Sequence, residues 1–345
     1  MFSNCKIELI TLLCISLILI SCKGTLSEAY FTEITVVGTT VVMDISRTAY
    51  HTEFDDFIGN LTDAYNEVII ANESFELPER MDALFISQPD SGYTVQEMSS
   101  ILEFLSKGNK TLFIGGDSDY GGYYQPDFVN DLLVFLGLKI RMDSTSIYDD
   151  VINDGENWRI FAVNYGNGTI GDILKQNCDA GISMHAPCAI VGYNDSTVVD
   201  LRNNTLEGVE ILLSYSVNAT AVDTDFSMTE YDLYSKDNLT ALENGNYPAV
   251  VCEILNIGKN TSYIILAGEV IFAEYMNMYD QYTISGIYNG GIHYGQMFID
   301  NLVNYFLSNS TGIPYIEEYS KSHIVFILSA IPAIICLTLN LRKRK

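Results

Sequence analysis

From Ile34 onward, short apolar runs alternate with amphipathic ones. Ile34 to Ile45 is β-branched and apolar, which predicts a strand ending near Asp44. Glu53 to Tyr65 places Phe54, Phe57, Ile58, Leu61 and Tyr65 at helical spacing. Glu67 to Ala71 and Ala83 to Ser87 read as short buried strands, the second closed by Gln88-Pro89-Asp90. Thr94, with Glu97 three residues on, predicts a capping box for a helix carrying Met98, Ile101, Leu102 and Leu105 and ending at Gly108. Thr111 to Ile114 is the next strand and runs into Gly115-Gly116-Asp117. Phe128 to Leu136 predicts a helix, and Leu138 to Arg141 a strand.

Strands bounded by turns and separated by amphipathic helices predict an α/β fold, a doubly wound, mostly parallel sheet covered on both faces. Residues 143–240 are less regular, with strands expected at Ile160–Val163, Ala189–Gly192 and Val209–Leu213. Regularity returns at Ala249–Leu255, Ser262–Ala267 and a helix from Gln296 to Leu307. Residues 34–308 are thus expected to form one domain, followed by a polar stalk over 309–321.

The two ends have a different pattern. Ile324 to Leu341 is uncharged and mostly apolar, and Arg342, Lys343, Arg344 and Lys345 follow at once. Such a run is long enough to cross the ~30 Å hydrocarbon core as a helix, with the cations left in the cytoplasm. The expectation is a single-span protein of the cell membrane: a transmembrane helix over 322–341, a cytoplasmic tail over 342–345, and the remainder outside. Lys6 and the apolar Leu9–Ile20 read as a signal peptide over 1–22. Leu19-Ile20-Ser21-Cys22 resembles a lipobox that would lipidate Cys22; an uncleaved signal anchor or cleavage near Gly24 are the alternatives. Ten N-x-[ST] sequons lie between the hydrophobic ends, at Asn60, Asn72, Asn109, Asn167, Asn194, Asn203, Asn218, Asn238, Asn260 and Asn309, suggesting a glycoprotein with an extracellular domain.

A formal charge of −26 argues against nucleic acid and anionic lipid surfaces as partners, since both need cationic footprints. Cys178, Cys188 and Cys252 form no CxxC pair; a Cys178–Cys188 disulfide and three buried thiols both remain open.

The stretch ALFISQPDSGYTVQEMSSILEFLSKGNKTLFIGGDSDY (83–120) resembles the middle of a glutamine-amidotransferase-like, flavodoxin-type domain. SYIILAGEVIFAE (262–274) resembles that family's late strand, with Glu269 in place of Asp, and GQMFIDNLVNYFL (295–307) its closing helix. The resemblance points to non-enzymatic members: the gliding-motility auxiliary subunit of ABC transporters, DUF4350-type domains and an intraflagellar-transport subunit. A working amidotransferase carries a Cys nucleophile on the turn after the strand that here ends at Ile114. Gly115, Gly116 and Asp117 stand there instead, so the resemblance implies a domain without the Cys-His-Glu mechanism.

Gly116-Asp117-Ser118-Asp119-Tyr120 is one glycine short of the G-x-S-x-G elbow, in which Ser118 would be a nucleophile with His185 or His293 as base; the plain alternative is a hydrogen-bonded turn. Asp44, Asp117 and Asp119 fall at expected carboxyl ends of strands, the edge where open α/β sheets bind ligands. They could hold Ca²⁺ or Mg²⁺ through oxygen, or simply cap helices. His51, His185 and His293 sit in loop-like contexts, and the Tyr-rich stretches 120–124 and 275–288 offer stacking surfaces. The sequence therefore predicts a non-catalytic cell-surface binding protein with a protein or glycan partner, a transporter auxiliary or envelope component, whose functional edge comprises Asp44, His51, Asp117, Asp119 and Tyr120. The competing reading is an extracytoplasmic hydrolase of a surface glycan or ester using Ser118.

Overall fold

The computed structural model describes residues 39–48, 53–65, 67–118, 125–178, 181–222, 231–234, 245–279, 281–283 and 292–311. All belong to one unit beginning at Thr39. Its first strands are β1 (Thr40–Asp44), β2 (Glu67–Ala71), β3 (Ala83–Ser87) and β4 (Thr111–Gly115). They lie parallel in the order β2-β1-β3-β4. Helices α1 (Asp55–Ala64) and α2 (Val95–Ser106) provide two of the crossovers that parallel pairing requires, and α3 (Gln125–Phe135) follows β4.

The remainder of the sheet departs from the expected doubly wound, mostly parallel topology. After β5 (Ile140–Met142) and β6 (Ser146–Tyr148) come β7 (Arg159–Tyr165), the short helix α4 (Thr169–Leu174) and β8 (Ile182–His185). Next are β9 (Ile190–Asn194), β10 (Thr197–Val199), β11 (Val209–Tyr215), β12 (Thr220–Val222), β13 (Pro248–Ile257) and β14 (Asn260–Ala267). The nine-stranded sheet runs β2-β1-β3-β4-β14-β13-β11-β7-β8. β14 pairs parallel with β4, but β14/β13, β13/β11, β11/β7 and β7/β8 are all antiparallel. The molecule is therefore a mixed-sheet protein in which strand outweighs helix. The physical reason is local: two residues, Gly258 and Lys259, join β13 to β14, and a connection that short permits only antiparallel pairing. Gly258 supplies the positive φ, +66°, that such a tight turn needs. Three small sheets, β10-β9-β5, β12-β6 and the pair β15 (Gln281–Thr283) with β16 (Ile292–Tyr294), complete the strands.

The parallel half is covered on both faces, so its strands are apolar throughout rather than alternating. Phe85 and Phe113 stack at 4.4 Å on one face, in a cluster with Phe57 and Leu61 of α1 and Phe298 and Phe306 of α5 (Gly295–Thr311). On the other face Leu84, Ile86, Leu112 and Ile114 meet Ile101 and Leu105 of α2 and Val129, Leu132 and Leu133 of α3. The Thr94 capping box forms: the Glu97 N–H donates to Thr94 Oγ1 at 3.3 Å and the Thr94 N–H to Glu97 Oε2 at 2.7 Å. Arg47 reaches Glu97 at 2.6 Å, tying the turn after β1 to α2.

Three further expectations need correction. No helix among the described residues is long and apolar enough to cross a membrane. The apolar run over 322–341 and the signal segment over 1–22, with Cys22, lie outside the described residues. Placement as a single-pass protein of the cell membrane is withdrawn, and with it the support for reading the sequons as marks of an extracellular glycoprotein. Cys178, Cys188 and Cys252 are buried thiols, and no disulfide joins Cys178 to Cys188. The last helix runs to Thr311, three residues into the expected stalk.

Candidate functional site

The carboxyl ends of β3, β4 and β14 lie side by side and carry polar groups that the core leaves partly unmatched. Gln88 follows β3 with φ of 33°, a left-handed conformation rarely adopted outside glycine, and is fully buried. Its Nε2 donates to Asp117 Oδ2 in a short contact, while its Oε1 and the neighbouring Ser87 Oγ find no partner. Asp117 follows β4, half-buried, and also accepts from the Ser118 N–H at 2.7 Å.

Glu269 follows β14 and is wholly inaccessible to solvent. The Val270 N–H donates to its Oε1 at 2.8 Å, and its Oε2 has no partner. Burial, and then the adjacent Asp117 charge, push the Glu269 carboxyl well above the usual range and favour its protonated form. Tyr275 opens the short 3-10 helix Tyr275–Asn277 that comes soon after β14. Burial first, then the charges of Glu269, Asp117 and Glu53, raise its hydroxyl above the ordinary tyrosine value. The His185 ring meets Tyr275 edge-on at 5.1 Å. Burial and then the Arg159 charge lower the His185 imidazole below its ordinary value.

Beyond Tyr275 opens a cavity of about 650 Å³, lined by Glu53, Asp56, Asn60, Glu274, Tyr275, Met276, Tyr279 and Gln296. Glu274 accepts the Asp56 N–H and so caps α1, whose N-cap residue Phe54 has no side-chain acceptor. A smaller cavity of about 310 Å³ lies between Tyr148, Asn157, Trp158, His185 and Ala186.

The residues singled out from the sequence scatter. Asp44 is buried at the end of β1 and accepts from Ser46 N at 3.0 Å, Ser46 Oγ at 2.6 Å and the Tyr93 hydroxyl at 2.7 Å. It organises a turn, and β3 separates it from the Asp117 strand. Ser118 is buried. His293 is wedged in the core: its Nδ1 accepts the Ser183 N–H at 2.9 Å and its Nε2 donates to the Met278 carbonyl at 3.0 Å. Both nitrogens are thus held by backbone. His51, Asp119 and Tyr120 lie outside the described residues. Among the described residues no group of three His, Cys, Asp or Glu could hold a metal ion. The sequence places Gln88, Glu269 and Glu53 only at ends of strands or helices and not among site residues, although Gly268-Glu269 directly after an apolar strand is the same signal that drew notice to Asp117.

No protein-family profile matches the chain, and no curated protein does. Among solved structures the fold is similar to one described as "mmIFT52 N-terminal domain", with a TM-score of 0.50 and 9% identity over 77% of this chain and 97% of that one. That neighbour is not a glutamine amidotransferase, so the amidotransferase-like, flavodoxin-like description is not carried forward. At this identity the likeness shows a shared fold.

Proposed function

We propose that this chain is a non-catalytic binding domain whose ligand seats on the edge formed by Gln88, Asp117 and Glu269. The observation that carries this reading is Glu269 Oε2, a fully buried carboxyl oxygen with no partner, beside the Asp117 side chain. A buried polar atom left unmatched costs about 1–3 kcal/mol. Such a cost persists at sites where a bound group supplies the missing contact.

The turn after β4 supports a binding rather than a nucleophilic role. A Cβ at Gly115 would lie 2.8 Å from the Val270 Cα, and one at Gly116 would meet Met142 Cε and lie 3.1 Å from the Ala267 carbonyl oxygen. Backbone crowds the position at Gly115, where a reactive side chain would have to displace Val270. The Ser118 hydrolase reading draws no support from His293, whose nitrogens are both engaged.

The test compares wild type, Asp117→Asn and Glu269→Met in affinity capture from source extract, with thermal melting of each protein. Binding at this edge requires a captured species that both variants lose while their melting temperatures hold or rise. Identical captured sets for all three proteins would refute it.

A further inference from the structure

The nine-stranded sheet ends laterally at β8 and at β2, and the two ends differ. At β8 the Ser183 N–H donates to His293 Nδ1 at 2.9 Å, so a side chain from β16 takes up a donor of that edge strand. At β2 the Glu67 N–H donates to the Thr39 carbonyl at 3.3 Å, and the Ala71 carbonyl accepts the Ile45 N–H at 2.9 Å. Glu67, Ile69 and Ala71 therefore direct their backbone groups to β1, and the alternate residues Val68 and Ile70 turn theirs outward. No described group pairs with the outward N–H and C=O groups of Val68 and Ile70. Natural edge strands are blunted by Lys, Pro or a bulge. β2 reads Glu-Val-Ile-Ile-Ala, and its register with β1 is unbroken. Its side chains leave both faces of the core unfinished. Half-buried Val68 and Ile70 continue the α1 side, and half-buried Ile69, with Phe75 and Leu77, continues the α2 side.

We propose that β2 takes on an extended segment of a partner protein as an added strand, and that this segment carries Lys or Arg on either side of an apolar centre. The surface is distinct from the site proposed above: β1 separates β2 from β3, and none of Gln88, Asp117 or Glu269 lies on it. Main-chain hydrogen bonds to Val68 and Ile70 supply the attachment, as in other cases of strand addition to an open sheet edge. The two unfinished faces set the side-chain pattern. Successive residues of the incoming strand point to opposite faces, so apolar residues cover Val68 and Ile70 on one side and Ile69 on the other. Charge sets the flanks. Over residues 62–80 the exposed acids Asp63, Glu67, Glu73, Glu76 and Glu79 are accompanied by one exposed base, Arg80. A second copy of this chain is disfavoured as the occupant, because it would bring the same acids together across the new strand pair.

The test reads amide hydrogen exchange across β2 in the full-length protein by NMR. The probe is the end-capped peptide Lys-Val-Thr-Val-Thr-Val-Lys, compared with the same peptide carrying Glu in place of both Lys. In the free protein the Ile69 and Ala71 amides should exchange slowly and the Val68 and Ile70 amides quickly. Saturation with the Lys peptide should slow Val68 and Ile70 on the order of tenfold or more, and the Glu peptide should not. Ile70→Pro removes one outward N–H while sparing the bonds to β1, and it should weaken binding of the Lys peptide. Where that variant melts well below wild type, the exchange pattern of the wild-type protein decides alone. Val68 and Ile70 amides already protected in the free protein would overturn the proposal. So would protection that grows with protein concentration, which would identify a second copy as the occupant. Exchange unchanged at saturating Lys peptide, or equal protection by both peptides, would also overturn it. Loss of this strand-addition surface leaves the Gln88–Asp117–Glu269 reading standing, since Asp117→Asn and Glu269→Met should leave probe binding at β2 unchanged.

Discussion

Glu269 and Asp117, from adjacent parallel strands, place two carboxyl groups together at the sheet edge, and the Glu269 carboxyl is the one fully cut off from water. With its folded-state value raised above the ordinary 4.5, Glu269 holds a proton in the native state that the unfolded chain has already lost. Its contribution to stability is therefore complete below about pH 4.5 and declines as pH rises towards the folded value. Glu269→Gln mimics the protonated form. The variant should melt close to wild type at pH 5 and at a clearly higher temperature at pH 8, by scanning calorimetry. A difference that stays constant between the two pH values would contradict this assignment.

Asp143 is a second buried acid, and it fastens a distant segment. Its Oδ2 accepts the Leu233 and Tyr234 N–H groups at 2.7 and 2.9 Å. Burial raises its carboxyl from 3.8 to about 7. Asp143→Ala leaves two N–H groups unmatched and should cost about 1–3 kcal/mol. Limited proteolysis is the readout: cleavage near Tyr231–Tyr234 should accelerate more than cleavage in the parallel half.

Gly115 faces backbone, which cannot swing aside. Gly115→Ala forces a Cβ to 2.8 Å from the Val270 Cα and should destabilise by about 1–3 kcal/mol. Gly116→Ala mainly meets the flexible end of Met142 and should cost less. Denaturant midpoints that rank the two the other way would count against this packing.

His293 acts as a structural bridge. His293→Ala removes an acceptor for Ser183 N–H and a donor for the Met278 carbonyl. A large fall in melting temperature is expected, of order 2 kcal/mol or more. A stable His293→Ala protein would mean that the ring is not needed for packing.

Local features were readable from the sequence because each is encoded within a few residues. Glu67–Ala71 and Ala83–Ser87 are strands over their full expected length, and the Thr94–Glu97 cap needs only a four-residue motif. Strand direction was not readable in the same way, because it depends on which distant segment pairs with which. One clue did exist: Gly258-Lys259 between two apolar runs is too short for a parallel crossover. Segments 143–240 concealed β8, whose four residues are too few to show a period. At the site, Asp at a strand end looks alike whether it organises a turn, as Asp44 does, or accepts from a buried Gln88 on the neighbouring strand, as Asp117 does. Burial of Glu269 arises only when β14 is inserted beside β4.

That insertion also sets an order of assembly. β4 gains its second neighbour from a strand near the far end of the domain; Ser262 bonds to the Leu105 carbonyl across 157 residues of chain. Contacts so remote in sequence close late and slow folding. While the chain is being made, at roughly 5–20 residues per second, β2-β1-β3-β4 stands for several seconds with an apolar open edge. β14 is hairpinned to β13 in the folded sheet, so a single hairpin both closes that edge and joins the antiparallel half to it.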